Sequence, residues 1–145
     1  MPRWVNEAFD EYARRMPRSL PVELKEIRPE PRNSGKPVAQ LLVAESARMA
    51  RAVPRGAFRV ALDERGREFS TAQLARWIEA RAQDGRDAAF LVGGADGLAP
   101  EAKSGADLLL RLSAMTLPHG LARVLLAEQL YRAVSILGNH PYHRE

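Results

Sequence analysis

Apolar positions along the chain repeat with two different periods, and the period changes several times from one end to the other. A spacing of three and four residues is typical of one helical face, and it predicts four main helices. Alternating or continuous apolar runs that end at glycine or polar clusters predict strands. The predicted helices are Trp4–Arg15, Val38–Val53, Ala72–Ala82 and His119–Leu137, with a short one within Pro100–Ala106. The predicted strands are Val22–Ile27, Phe58–Leu62, Ala88–Val92 and Leu108–Ser113.

The alternation of strands and helices indicates the fold class. It predicts one three-layer α/β/α domain over residues 1–145, with a mostly parallel sheet. Ala88–Val92 is almost wholly apolar, as expected of a strand that is buried on both faces. In such sheets, ligands bind at the carboxyl ends of the strands. The loops expected there are Leu62–Gly66, Gly93–Gly97 and Ser113–His119.

The composition excludes several classes of protein. The 145 residues are 46% hydrophobic and 28% charged, which is close to an ordinary globular domain. No apolar run approaches the roughly 20 residues needed to cross a bilayer, and the first residues lack the apolar core of a signal peptide. The chain has no cysteine, so it has no disulfide and no thiolate metal site. We therefore expect a cytoplasmic protein that does not contact membranes.

Positive charge is concentrated in the first third of the chain. The net charge is +4, and residues 1–55 carry 11 basic and 7 acidic side chains, whereas residues 56–145 carry 11 of each. Nearly all the basic residues are arginines, which suit bidentate contacts with phosphate. Codon composition explains such a bias equally well. We expect an anionic partner to bind the N-terminal third.

The glycine-rich loop Gly93–Gly97 follows a predicted strand but matches no nucleotide-binding fingerprint. It lacks the spacing of a G-x-G-x-x-G motif, which argues against a Rossmann-type dehydrogenase, and no Gly-Lys-Ser/Thr follows it. An isolated glycine pair is most simply a tight turn. The functional alternative is a backbone that a ligand approaches closely at Gly93 and Gly94.

The loop Ser113–His119 combines a proline with two hydroxyl side chains, which predicts an extended turn. Such a turn leaves backbone N–H and C=O groups free to contact an adenine edge. We expect Met115 to contribute packing, because methionine commonly fills gaps. His119 is most simply the first residue of a helix.

Polar side chains on the last helix and in the C-terminal tail, residues 138–145, are the remaining candidates. Glu128 and Arg132 are four residues apart and can pair on one helical face. The three histidines, His119, His140 and His143, all lie in the last quarter of the chain. No carboxylate or cysteine completes a ligand set around the last two, so no metal is expected.

Five segments then occur in an order that matches a known family. They are Leu62–Gly66, Leu91–Leu98, Leu112–His119, Glu128–Ala133 and Pro141–Glu145. Together they resemble the ribosomal RNA large-subunit methyltransferase H family of the SPOUT superfamily, over nearly the whole chain. The resemblance implies an enzyme that uses S-adenosylmethionine to methylate N3 of a pseudouridine in 23S ribosomal RNA, on the assembled ribosome. It also implies a homodimer and a C-terminal trefoil knot.

The resemblance places the cofactor contacts on three loops, the same loops that the strand-end argument selects. The residues are Leu62, Gly93, Leu112, Ser113, Ala114, Met115, Thr116 and Leu117, and we add Gly94 as the second member of the glycine pair. It further implies that the family's first strand, which precedes the position of Trp4, is missing from this sequence, either because the start codon is misassigned or because this member lacks the strand.

The chemistry of the implied reaction suggests roles for the other candidates. They are His143, Arg144, Tyr142, Arg123, His119 and Glu128. The N3 atom must lose its proton, and His143 is the expected base because a histidine has an unperturbed pKa of about 6.5. Arg144 or Arg123 would stabilise the negative charge. Tyr142 would stack on or hydrogen-bond the pyrimidine, and Glu128 would orient an arginine.

The alternative from another class is an RNA-binding or ribosome-associated factor without catalysis. The basic first third of the chain favours this alternative. The loop Leu112–His119 favours the enzyme, because a protein that only binds RNA has no need of it.

Overall fold

Helices, strands and one short 3-10 helix alternate in a computed structural model that describes the backbone of residues 1–144 and the side chains of residues 1–142. The helices are α1 (Arg3–Arg15), α2 (Val38–Ala52), α3 (Thr71–Asp84), α4 (Pro100–Ser104) and α5 (His119–Leu137), followed by the 3-10 helix Pro141–Arg144. The strands are β1 (Phe58–Glu68), β2 (Ala88–Leu91) and β3 (Leu108–Arg111). No helix of the described chain is long and apolar enough to cross a membrane.

The strands form a parallel sheet in the order β2-β1-β3, with β1 in the middle. Successive residues of β1 face opposite layers of helices. Leu62 packs with the buried residues of α3 and α5, whereas its neighbour Ala61 packs with side chains of α2 and α4. The predicted α/β/α arrangement with a parallel sheet is therefore confirmed.

Aromatic rings attach α3 to the sheet. The ring of Trp77 lies 5.3 Å from that of Phe58 on β1 and 5.9 Å from that of Phe90 on β2, both edge to face. The helix begins at Thr71, one residue before the predicted start, and Ser70 caps it by forming a capping box with Gln73. The Gln73 N–H donates to the Ser70 hydroxyl at 3.1 Å, and the Ser70 N–H donates to Gln73 Oε1 at 2.7 Å.

A glycine allows α1 to pack closely on α5. Val5 and Phe9 are the buried residues of α1. A Cβ added to Gly120 would lie 3.1 Å from Cγ2 of Val5, so even an alanine there would crowd the Val5 side chain. This contact lies in the first turn of each helix.

The strand β1 is longer than predicted because its ladder with β3 is interrupted and then resumes. Leu62 and Arg67 both pair with Leu110, so residues 63–66 leave the regular register between them. A Cβ on Gly66 would lie 2.6 Å from the carbonyl carbon of Leu109. The predicted end at Leu62 therefore marks this interruption rather than the end of the strand.

The predicted strand Val22–Ile27 is wrong. This segment has no regular secondary structure and makes no backbone–backbone hydrogen bond within the described residues. It forms one wall of a groove of about 960 Å³, and β2 contributes to the lining as well. Apolar and polar residues alternate in the segment as in a strand, but a strand also needs a neighbour, and the groove lies where that neighbour would be.

The groove has the properties of a site for an additional strand. Its lining is largely apolar and includes Trp77, Phe90, Leu126 and Leu130. Because β2 is at the edge of the sheet, one of its backbone edges is also unpaired. An extended segment placed between β2 and residues 22–27 would therefore find hydrogen-bonding partners on both sides.

We expect an apolar extension ahead of Met1 to fill this groove, because Met1 itself lies in its lining. An added alternating Val/Thr segment of about eight residues, within the normal range of strand lengths, should raise Tm by about 3 °C or more. It should also slow hydrogen exchange in β2. A Gly/Ser extension of the same length is the control. Equal Tm values for the two extended proteins would show that the groove does not accept a strand.

Candidate cofactor site and tail

The register of the sheet brings the three predicted loops to one edge. Ala61 pairs with Leu91, so Leu62 is level with Val92, and Leu62 also pairs with Leu110 on the other side. The glycine-rich loop and the loop after β3 therefore leave the sheet on either side of Leu62. The sequence argument for a site at the strand ends predicts this neighbourhood.

The adjacent glycines Gly93 and Gly94 differ in how much space surrounds them. A Cβ on Gly93 would lie 2.5 Å from the carbonyl carbon of Gly97, so Gly93 is required by the turn itself. The Gly97 N–H donates to the Gly94 carbonyl at 3.0 Å and closes this turn. Gly94 is exposed, and a Cβ there would meet nothing within 4 Å. The fold therefore does not require a glycine at position 94, whereas a closely approaching ligand would.

The loop after β3 is exposed and has few internal hydrogen bonds. The Met115 N–H donates to the Ser113 hydroxyl at 2.9 Å, while the backbones of Ala114, Thr116 and Leu117 make no hydrogen bond within the described residues. Met115 is 80% exposed, so the expectation that it packs is wrong. Leu112 packs against the core, whereas Ala114, Met115 and Thr116 are exposed and their backbone is available to a ligand.

An arginine that sequence reasoning missed attaches another loop to the glycine-rich turn. Arg32 Nε lies 3.0 Å from Asp96 Oδ2, and Arg32 Nη1 lies 2.8 Å from Glu45 Oε2 on α2. The hydrogen bond from Arg32 lowers the pKa of the Glu45 carboxyl below its usual range. Arg32 and Asp96 are 64 positions apart, so no local spacing signals this link.

The catalytic candidates divide into two groups at different places along α5. His119 and Arg123 lie in the lining of the groove, near the start of the helix. Arg123 Nη1 lies 3.0 Å from Glu26 Oε1, on the extended segment that follows α1. Glu128 and Tyr142 belong to the second group, around the tail. Within one chain, His119 and Arg123 therefore do not lie in the same site as Glu128 and Tyr142.

Tyr142 attaches the tail to α5. Its ring lies 4.7 Å from the ring of Tyr131 and 4.8 Å from Cζ of Arg132, and its hydroxyl lies 3.3 Å from Glu128 Oε1. Burial, and then a hydrogen bond with Tyr12, raise the pKa of Tyr142 to about 12. The hydroxyl therefore stays protonated near neutral pH, so it donates a hydrogen bond to Glu128.

Glu128 is shared among several partners. Arg132 Nε lies 2.7 Å from Glu128 Oε1, so the predicted pair is formed, and Gln129 Nε2 donates to Oε2 at 2.9 Å. Gln129 Oε1 in turn accepts a hydrogen bond from the Thr71 hydroxyl on α3 at 2.7 Å. The Glu128 carboxylate thus connects the tail, α5 and α3, which suits orientation of an arginine better than proton transfer.

The side chains of His143 and Arg144 lie outside the described residues, as does the whole of Glu145. The backbone of His143 and Arg144 belongs to the 3-10 helix that begins at Pro141. Among the residues with described side chains, no group of three or more His, Asp or Glu could hold a metal ion.

Comparison with known proteins identifies the family. A family model described as "Predicted SPOUT methyltransferase" matches residues 1–143. The chain belongs to the SPOUT methyltransferase family. The protein named "Ribosomal RNA large subunit methyltransferase H" from Burkholderia multivorans is 60% identical over 144 residues, which cover 99% of this chain and 92% of the relative. Proteins of the same name from Burkholderia ambifaria strain MC40-6 and Burkholderia vietnamiensis are each 59% identical with the same coverage.

SPOUT methyltransferases generally use S-adenosylmethionine, and the strand-end loops of this chain fit such a ligand. The open space at Gly94 leaves room for close approach of a ribose or methionine group. The unpaired backbone groups of Ala114, Thr116 and Leu117 can hydrogen-bond a purine edge. These loops at the carboxyl edge of the sheet are therefore the candidate cofactor site.

Proposed function

We propose that this SPOUT methyltransferase transfers the methyl group of S-adenosylmethionine to N3 of a pseudouridine in 23S ribosomal RNA, on assembled ribosomes in the cytoplasm. Its similarity to relatives named "Ribosomal RNA large subunit methyltransferase H", at 60% identity over almost the full chain, is the observation that carries the proposal. The exposed loops at the strand ends supply a surface that a protein binding RNA alone would not need.

The cofactor would lie at the carboxyl edge of the sheet. Leu62 and the backbone of Gly93 and Gly94 would contact it on one side, and the loop 112–117 on the other. When bound, S-adenosylmethionine supplies an electrophilic methyl group on a sulfonium. The remaining task of the protein is to bring a deprotonated nitrogen in line with that methyl group, at about 3 Å.

The tail would prepare the nucleotide. His143 would accept the N3 proton, since an imidazole titrates near neutral pH, and Arg144 would stabilise the anionic ring. Tyr142 would hold the tail in place, because α5 already engages its ring and its hydroxyl. Glu128 would orient Arg132, to which it is paired.

A second copy of the chain would complete the site. Within the described residues, the hydrogen-bonding and ring partners of the Tyr142 side chain lie on α1 and α5, not on the cofactor loops. Leu121, Val124 and Leu125 of α5 remain partly exposed and offer apolar surface to a partner. We propose a homodimer in which the tail of one subunit reaches the cofactor loops of the other.

The C-terminal part of the chain would also carry the trefoil knot implied by the family resemblance. The membership of the chain in the SPOUT methyltransferase family supports this proposal.

We expect Gly94→Val to weaken S-adenosylmethionine binding about tenfold or more, because the added side chain would occupy the space where the ligand approaches. Isothermal titration calorimetry measures this affinity. Gly93→Ala is the contrasting variant, since its Cβ would collide with Gly97 and lower Tm. A folded Gly94→Val protein with unchanged affinity would contradict the proposed cofactor site.

We expect the purified protein to transfer labelled methyl groups to ribosomes that lack the modification. His143→Ala and Arg144→Gln should each lower the rate by about 10²-fold or more while retaining cofactor affinity. Near-normal rates in both variants would move the assignment to His119 and Arg123. A wild-type protein that binds ribosomes but neither binds the cofactor nor transfers a methyl group would support the non-catalytic alternative.

We expect light scattering at micromolar concentration to give twice the chain mass of 16.1 kDa. Mixing Gly94→Val subunits with Arg144→Gln subunits should restore part of the activity, because one of the two sites in a mixed dimer would combine an intact loop with an intact tail. A monomeric mass, or no recovery on mixing despite subunit exchange, would contradict the shared site.

A further inference from the structure

The C-terminal residue of α1 contacts the tail through aromatic rings. The guanidinium carbon of Arg15 lies 5.4 Å from the ring centre of Tyr12, 5.8 Å from that of Tyr131 and 5.9 Å from that of Tyr142. All three distances fall within the range of a cation–π interaction. Arg15 therefore joins α1, α5 and the tail, three elements that the sequence separates widely.

An acidic residue fixes the direction of the Arg15 side chain. Arg15 Nη2 lies 2.7 Å from Glu11 Oε1, one turn earlier on α1. Arg14 lies 2.8 Å from the other carboxylate oxygen of Glu11, but its side chain is 74% exposed, against 41% for Arg15. The described residues provide no aromatic ring for Arg14. The two neighbouring arginines thus share one carboxylate and differ in their contact with the tail.

The tail depends on contacts of this kind. It is the last part of the chain, where a segment of a few residues ordinarily frays unless packing holds it. The ring centre of Tyr142 lies 4.8 Å from the guanidinium carbon of Arg132 on α5 and 5.9 Å from that of Arg15 on α1. Of these two guanidinium groups, only that of Arg15 comes from outside the helix that leads into the tail.

We propose that Arg15 is a positioning residue for methyl transfer: by contacting Tyr131 and Tyr142 it fixes the tail on α5, so that His143 and Arg144, which follow directly, are held for reaction. The inference rests on the proposed function. It assigns to the basic first third of the chain a task in organising the site, in addition to any contact with RNA.

Arg15→Gln tests this inference, with Arg14→Gln as the matched control and Arg15→Lys as the conservative variant. We expect Arg15→Gln to lower kcat for ribosome methylation about fivefold, with KM for ribosomes and cofactor affinity within about twofold of wild type. Arg14→Gln should retain the wild-type kcat, and Arg15→Lys should recover part of the loss, since lysine keeps a cation near the rings. Carboxypeptidase should release the C-terminal residues of Arg15→Gln faster than those of the wild type, and those of Arg14→Gln at the wild-type rate.

The outcomes separate this inference from the proposed function. If the wild-type protein transferred no methyl group, the proposed function would be wrong. The carboxypeptidase comparison would still show whether Arg15 holds the tail on α5. A rise in KM for ribosomes at unchanged kcat would show instead that Arg15 contacts RNA. Equal kcat and equal release of the tail in the Arg15 and Arg14 variants would overturn the inference.

Discussion

The pairing of β1 with a parallel neighbour on each side determines where the chemistry of this protein can occur. Because Ala61 is in register with Leu91 and Leu62 with Leu110, the ends of β2 and β3 lie level with the interruption of β1 that follows Leu62. Burial of alternate β1 residues against two layers of helices makes this register costly to shift, since a slip by one residue would exchange the two faces. The strand-end loops are therefore held next to one another by the core.

The long helix α5 connects the parts of the molecule that the sheet does not. Its first turns carry His119 and Arg123 to the groove, and its later turns carry Glu128 and Arg132 to the tail. At the end of α1, Arg15 lies against the rings of Tyr131 on α5 and Tyr142 in the tail. A single rigid element thus sets the distance between the groove and the tail, and it explains why one chain keeps the two groups of polar residues apart.

The groove beside β2 is bounded by an irregular segment that polar contacts hold in place. The segment 22–27 lies extended along one wall, and Arg123 is paired with Glu26 on that segment. Arg32 attaches the following loop to α2 and to the glycine-rich turn. These polar contacts hold the wall in position without a backbone ladder, so the groove has a defined lining on both sides.

The sequence by itself determined the helices, the three strands and the choice of the strand-end loops. Local periodicity and capping residues such as Ser70 carry this information, and the structure reproduces the bounds of α5 without change. Only the tertiary structure decided that residues 22–27 form no strand, that β1 continues past Leu62, and that Arg15 reaches Tyr142. It also distinguished Gly93, which the turn requires, from Gly94, which the turn does not. The physical reason is that hydrogen-bonding partners, close approaches and ring contacts are made between residues far apart in the chain, where no local pattern records them.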